Sequence, residues 1–167
     1  MTADELRALQ APVKAGYKDD PAAALLTLTA RGTLTGENLV CQVETGCGAI
    51  GAGLHPAAGG DGLSACSGDM LLEALVACAG VTLQAVATAM SIPLRGGTVW
   101  AEGDLDFRGT LGVSRDVPIG FKAIRLSFRL DTDAGPEQLA TLVKLTERYC
   151  VIYQTLKTPP AITAALA

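Results

Sequence analysis

Aromatic residues are scarce in this chain: one Trp, three Tyr and three Phe among 167 residues, 4% of the total. A core that cannot lean on rings must be built from small aliphatic side chains, and Ala, Leu, Val and Gly are abundant. There is one histidine, His55, which is too few for a histidine-rich metal centre. Basic residues are outnumbered, 13 Lys and Arg against 17 Asp and Glu, for a net charge of −4. Such a chain lacks the basic footprint that neutralises phosphates, so nucleic acid is not an expected partner. No run of like charge marks a tail. No secretory signal is evident either: "MTADELRALQAPVKAGY" carries Asp4 and Glu5 and has no apolar run before a small-residue cleavage site. The expected location is the cytoplasm, where thiols stay reduced. The five cysteines, Cys41, Cys47, Cys66, Cys78 and Cys150, are odd in number and contain no C-x-x-C pair, so no disulfide framework is expected.

The length suits one domain with a real core, spanning residues 1–167, with 1–24 as a peripheral N-terminal segment. Residues 4–10 read as a short helix or a mobile end. "ALLTLTARGTLTGENLVCQVET" reads as two strands joined by a turn. Leu26, Leu28 and Ala30 alternate with threonines before "TGEN", and Leu39, Cys41 and Val43 alternate after it. Residues 46–69 form a long Gly-rich connection, of a length that tends to be functional or mobile. A helix is expected over about 70–90, capped by Ser67 or Asp69 and stopped by "SIPLRGG". "TVWAEGDLDFRG" and "IGFKAIRLSFRLD" read as strands. "GPEQLATLVKLTERYCVIYQTL" reads as one helix, with Pro136 at its first position and Glu137 and Gln138 in its first turn. The order ββ–α–ββ–α indicates an α+β fold with antiparallel pairs rather than a doubly wound sheet.

"LLEALVACAGVTLQAVATAM", residues 71–90, is long enough to span a membrane. Glu73 inside it, Gln84 and Thr88 after it, and the absence of a basic flank oppose that reading. A helix apolar all round belongs in the centre of a large core. A 167-residue chain has little protein to surround it, so a second copy is expected to help and a homodimer follows. On this helix Leu71, Ala74, Leu75, Thr82 and Ala85 share a face with Cys78. Taken alone, Cys78 and Cys150 read as buried small hydrophobes, because burial raises a thiol pKa and makes it inert. Cys41, Cys47, His55 and Cys66 match no zinc spacing. Nothing places His55 beside a cysteine as a hydrolase would need, and the Gly-rich connection lacks the Lys-Ser/Thr end of a P-loop.

Two segments, "GGDGLSACSGDMLLEALVACAGVTL" and "LTERYCVIYQTL", change the balance. Together they resemble the two cysteine motifs of the OsmC/Ohr family, in order and on the expected helices, and the resemblance covers about residues 25–167. It implies an intertwined homodimer with the long helices packed centrally and active sites at the interface. It further implies a thiol peroxidase acting on organic or inorganic hydroperoxides. Cys78 would then attack the peroxide and become a sulfenic acid. Cys150 would resolve it as a Cys78–Cys150 disulfide, reduced by an external dithiol without any bound cofactor. The family also implies an arginine from the first hairpin, here matched by Arg31, and an acid before the central helix, here matched by Asp69. In the hydroperoxide-reductase branch that acid sits one place earlier, where this chain has Gly68, so a less characterised OsmC-like branch fits better. The alternative is a non-catalytic dimer of the same fold that binds a small apolar ligand or senses redox stress through its thiols. A cation near Cys78 would favour the enzyme.

Overall fold

The computed structural model describes residues 1–36 and 38–166; Glu37 of the "TGEN" turn and Ala167 lie outside the described residues. The chain divides into two compact units. One comprises Met1–Pro21, Ala74–Trp100 and Ser127–Ala167, and the other Ala22–Glu73 and Ala101–Leu126.

The second unit holds a four-stranded sheet in the order β1-β2-β3-β4. Its strands are β1 (Gly32–Leu34), β2 (Cys41–Thr45), β3 (Gly48–Gly53) and β4 (Ala65–Cys66). β1 and β2 form the expected antiparallel hairpin, with Leu34 opposite Cys41. The first strand is only three residues long, and Leu26 and Leu28 are exposed, so their alternation faces nothing that would reward a strand. The Gly-rich stretch is not simply a connection. After a two-residue turn at Gly46–Cys47, β3 pairs with β2 from Thr45↔Gly48 to Cys41↔Ala52. The Thr45 hydroxyl secures that turn, donating to the Gly48 carbonyl at 2.6 Å and accepting the Cys47 N–H at 3.2 Å. β4 then pairs parallel to β3, which makes the sheet mixed rather than wholly antiparallel. In the same unit α3 (Phe107–Thr110) is a single helical turn capped by Asp106, where a strand was expected to continue. The carboxylate of Asp106 is held down at about 2, chiefly by hydrogen bonding to the Arg108 guanidinium.

The first unit is mainly helical. α1 (Ala3–Asp19) is far longer than a frayed end. A capping box starts it: Thr2 accepts from the Glu5 N–H, and the Glu5 carboxylate accepts from the Thr2 N–H at 2.7 Å. None of its residues is buried. α2 runs Ser67–Ala89 and buries Leu75, Ala79, Leu83 and Ala87, one stripe at i, i+4 spacing. Its other face is open: Val81 is 71% exposed. The helix expected to be buried on nearly all sides is therefore covered on one side by its own chain. It is the one helix, among the described residues, long and apolar enough to cross a membrane. Its buried stripe instead belongs to a protein core, in which Leu83, Ala87, Ile92 and Leu142 cluster with Phe128 and Leu139 packed against them.

β5 (Gly96–Asp104) and β6 (Ala123–Asp131) form a two-stranded ribbon. Hydrogen bonds from the Arg95 N–H to the Asp131 carbonyl and from the Lys122 N–H to the Asp104 carbonyl make the ribbon antiparallel. The expected C-terminal helix is two helices, α4 (Pro136–Tyr149) and α5 (Val151–Lys157), separated by one extended residue, Cys150.

Candidate active site

The break at Cys150 builds the site. At φ −73° and ψ 111° Cys150 is at once the C-cap of α4 and the N-cap of α5. Its N–H still closes α4 onto the Thr146 carbonyl at 2.9 Å, and its own carbonyl accepts the Gln154 N–H at 3.0 Å. A new helix start leaves its first N–H groups without intrahelical partners. Two cysteine sulfurs take them. The Tyr153 N–H donates to Cys150 Sγ at 3.5 Å. The N–H groups of Ile152 and Val151 are among the groups that lower the Cys78 thiol.

Cys78, half-buried on α2, meets Cys150, which is fully buried. Both belong to the same unit. Burial alone pushes the Cys78 thiol up. Hydrogen bonds from the Ile152 N–H, the Cys150 thiol, the Val151 N–H and the Thr82 hydroxyl outweigh it and hold Cys78 below the ordinary thiol value. Cys150 is pushed the other way. Burial raises it first, and as donor to its neighbour's sulfur it loses further acidity beside the Cys78 negative charge. The pair thus splits into a favoured thiolate and a retained thiol, and its two proton losses belong to the pair. The groups that favour the thiolate are all uncharged.

The other helical threonines for which a hydroxyl bond is resolved, Thr88, Thr141 and Thr146, bond back to the carbonyl four residues earlier. Thr82 stands four residues after Cys78 on the same face, and its hydroxyl is among the groups that lower that thiol. The face shared by Thr82 and Cys78 was legible from spacing. The helix break was not, since neither Gly nor Pro announces it. Its only local signals are the thiol of Cys150, able to accept as a cap, and the β-branched pair Val151–Ile152 behind it.

The remaining candidates belong to the second unit. Asp69 is exposed in the first turn of α2, at the third helical position rather than at the cap. It precedes Cys78 by nine residues, about 13.5 Å along the axis and on the opposite face. Arg31 is exposed in the sheet-bearing unit, its carbonyl accepting the Glu44 N–H at 3.0 Å. Its guanidinium forms no ion pair among the described residues. Glu73 is exposed on α2. At Gly68, a Cβ would rest on Phe121 Cζ and Cys66 Sγ at 3.5 and 3.6 Å. His55 caps a 3-10 turn at Pro56–Ala58, its Nδ1 accepting the Ala57 N–H at 3.0 Å, and stacks on Phe107 with ring centroids 5.0 Å apart. Among the described residues no three His, Cys, Asp or Glu side chains form a metal-holding group.

The model of OsmC-like proteins matches residues 59–165, well over half of the chain. The chain belongs to the OsmC-like protein family. Both cysteines and the whole of α2 fall inside the matched region. Solved OsmC-like structures share the fold. An OsmC-like protein from Mycoplasma pneumoniae superposes with a TM-score of 0.67 at 16% identity, over 80% of this chain and 89% of that one. An organic hydroperoxide resistance protein OsmC from Legionella pneumophila gives 0.62 at 18%, over 80% and 91%. The organic hydroperoxide resistance protein OhrB of Bacillus subtilis gives 0.55 at 20%, over 79% and 93%. A comparison with curated protein sequences finds no match.

Proposed function

We propose that this OsmC-like chain is a cysteine-dependent hydroperoxide reductase. The observation that carries the reading is the split between the two thiols: Cys78 receives the N–H donors of α5 and the Cys150 thiol, while Cys150 stays protonated. The Cys78 thiolate attacks the distal peroxide oxygen and the O–O bond breaks. The alkoxide leaves as alcohol once protonated, and sulfur keeps the hydroxyl as a sulfenic acid. Sulfur loses two electrons and the peroxide gains them. Cys150 then attacks the sulfenic sulfur, expels water and leaves a Cys78–Cys150 disulfide, and an external dithiol returns both to thiols by exchange. The electrons come from that dithiol, so the cycle needs no bound cofactor. In the reducing cytoplasm, where we place the protein, this would be a defence against oxidative stress.

The working unit in this reading is a homodimer. The open face of α2 is the part a second copy would cover. Light scattering on the purified chain should return twice the chain mass.

The fully uncharged set around Cys78 also supports a second reading, a dimer that holds an apolar ligand or senses redox stress without turnover. One experiment separates the two. Reduced protein receives one equivalent of cumene hydroperoxide, and its disulfides are mapped by mass spectrometry, then dithiol and excess peroxide are supplied. The reductase forms a Cys78–Cys150 link and turns over. Both thiols remaining free would sink the reading, and a link without turnover would favour the sensor.

A further inference from the structure

α1 precedes the matched region 59–165. It belongs to the same unit as residues 74–89 of α2. Met1, Thr2 and Ala3 share a cavity with Ala87, Thr88 and Ser91, near the C-terminal end of α2. Farther along, Leu6, Gln10 and Lys14 share a separate groove of about 560 Å³ with Thr82 and Tyr149. The two helices therefore run antiparallel. From Thr2 to Lys14 is twelve residues, about 18 Å of helix. The same distance back along α2 from Ser91 reaches the level of Cys78 and Thr82. Leu6 and Ala89 belong to the far end of the groove, and Lys14 to the thiol end. Thr82 lines the groove one helical turn after Cys78 on the same face of α2, and Tyr149, which also lines it, adjoins Cys150 in sequence. Lys14 is the one charged residue lining the groove, and its ammonium is parked on Gln10 Oε1 at 2.8 Å.

We propose that this groove is the peroxide-binding site and that Lys14 of α1 supplies the cation its chemistry requires, acting on the bound peroxide. The inference rests on the reductase reading. An alkyl hydroperoxide would enter with its peroxide end beside Thr82 and Lys14 and its apolar end along Val86, Ala89 and Leu6. As the thiolate takes the distal oxygen, the O–O bond breaks and negative charge collects on the proximal oxygen. The Lys14 ammonium turns from Gln10, donates a hydrogen bond to that oxygen and passes it the proton that completes the alcohol, regaining a proton from water afterwards. A preorganised donor aimed at charge that develops only in the transition state accelerates the step. In the resting site the Lys14 ammonium is held on Gln10, so its contribution should appear with peroxide and not with a neutral alkylating agent.

That split is the test, made in the full chain. Single-turnover oxidation of Cys78 by cumene hydroperoxide and alkylation of Cys78 by iodoacetamide are followed in wild type, Lys14→Met and Lys14→Arg. Lys14→Met should slow oxidation by about tenfold or more, leave alkylation at the wild-type rate across pH, and be rescued by Lys14→Arg. Oxidation at the wild-type rate in Lys14→Met overturns the proposal. So does a parallel fall in alkylation, which marks damage to the site as a whole, or a loss that arginine does not restore. Any of these leaves the wild-type disulfide, and with it the reductase reading, intact. A wild-type chain that keeps both thiols under peroxide removes the two together.

Discussion

Cysteines occupy two regions of this protein, and the regions treat them differently. Cys78 and Cys150 meet where one helix stops and another starts. Cys41 and Cys66 sit in the sheet on either side of β3, opposite Ala52 and beside Gly53 respectively. All four are at least partly buried. In the sheet, backbone N–H groups are committed to the ladder. Cys41 and Cys66 are also separated by two strand spacings, about 9.5 Å, beyond the reach of a disulfide. At the helix break the N–H groups of Val151, Ile152 and Tyr153 have no ladder to join, and they are spent on sulfur. In the proposed reading, what separates a reactive thiol from a packing thiol is the supply of unpaired backbone donors, more than burial.

The comparison can be broken in graded steps. Cys78→Ser should reduce peroxide consumption to the uncatalysed background in a coupled assay. Cys150→Ser should consume one equivalent, stop, and yield a dimedone-trapped sulfenic acid at Cys78. Val151→Pro comes next. Proline is tolerated at the first position of α5, and the extended Cys150 before it is already in the conformation proline demands. The substitution deletes one N–H donor to the thiolate and leaves the helix in place. A hydrogen bond to a charged group contributes about 1.5–3 kcal/mol, so Cys78 alkylation near neutral pH should slow by about tenfold or more, while circular dichroism stays unchanged. Thr82→Val removes the hydroxyl and keeps the shape, and the same assay should show a smaller loss, about threefold to tenfold. Cys41→Ser and Cys66→Ser should leave peroxide turnover unaltered. A clear fall in either would join the two regions that the comparison keeps apart.

The sign with pH follows from the direction of the shift. With the folded value of Cys78 below its unfolded one, peroxide reactivity should rise and level off at a pH where an unassisted thiol is still protonated. By the same linkage, the stability this thiolate contributes is fully present above the unfolded value and is lost as pH falls through the folded one. Denaturant midpoints of wild type and Cys78→Ser should converge as pH falls.

Much of this was legible before any coordinates. The apolar run around Cys78 declared its helix, and Leu139, Leu142, Val143, Thr146, Tyr149 and Cys150 read as one stripe at helical spacing, of which Leu142, Thr146 and Cys150 are buried while Tyr149 is exposed. Thr82 could be placed on the face of Cys78 from spacing alone. Other parts were hidden for physical reasons. Glycines in "GCGAIGAG" suppress the strand signal, because β3 is held by its ladder to β2 and not by side-chain preference. Leu26, Leu28 and Ala30 gave the opposite error, an alternating pattern without a surface to pack on. α1 has Pro12 in its interior, which argues for a short helix, yet it extends to Asp19. The break at Cys150 escaped because a single extended residue leaves no mark in a 3.6-residue period, and it is the feature on which the site depends.

The central claim is that the helix break makes Cys78 a thiolate ahead of the other cysteines, and the most direct measurement is competition. Reduced protein is exposed to a small amount of iodoacetamide at pH 6.5, about two units below an ordinary thiol, and labelling at all five cysteines is counted by peptide mass spectrometry. The account predicts that half-buried Cys78 labels faster than Cys47, which is exposed, and that Cys150 labels last. Labelling ordered by exposure alone, with Cys47 first and Cys78 no faster than Cys41 or Cys66, would contradict it.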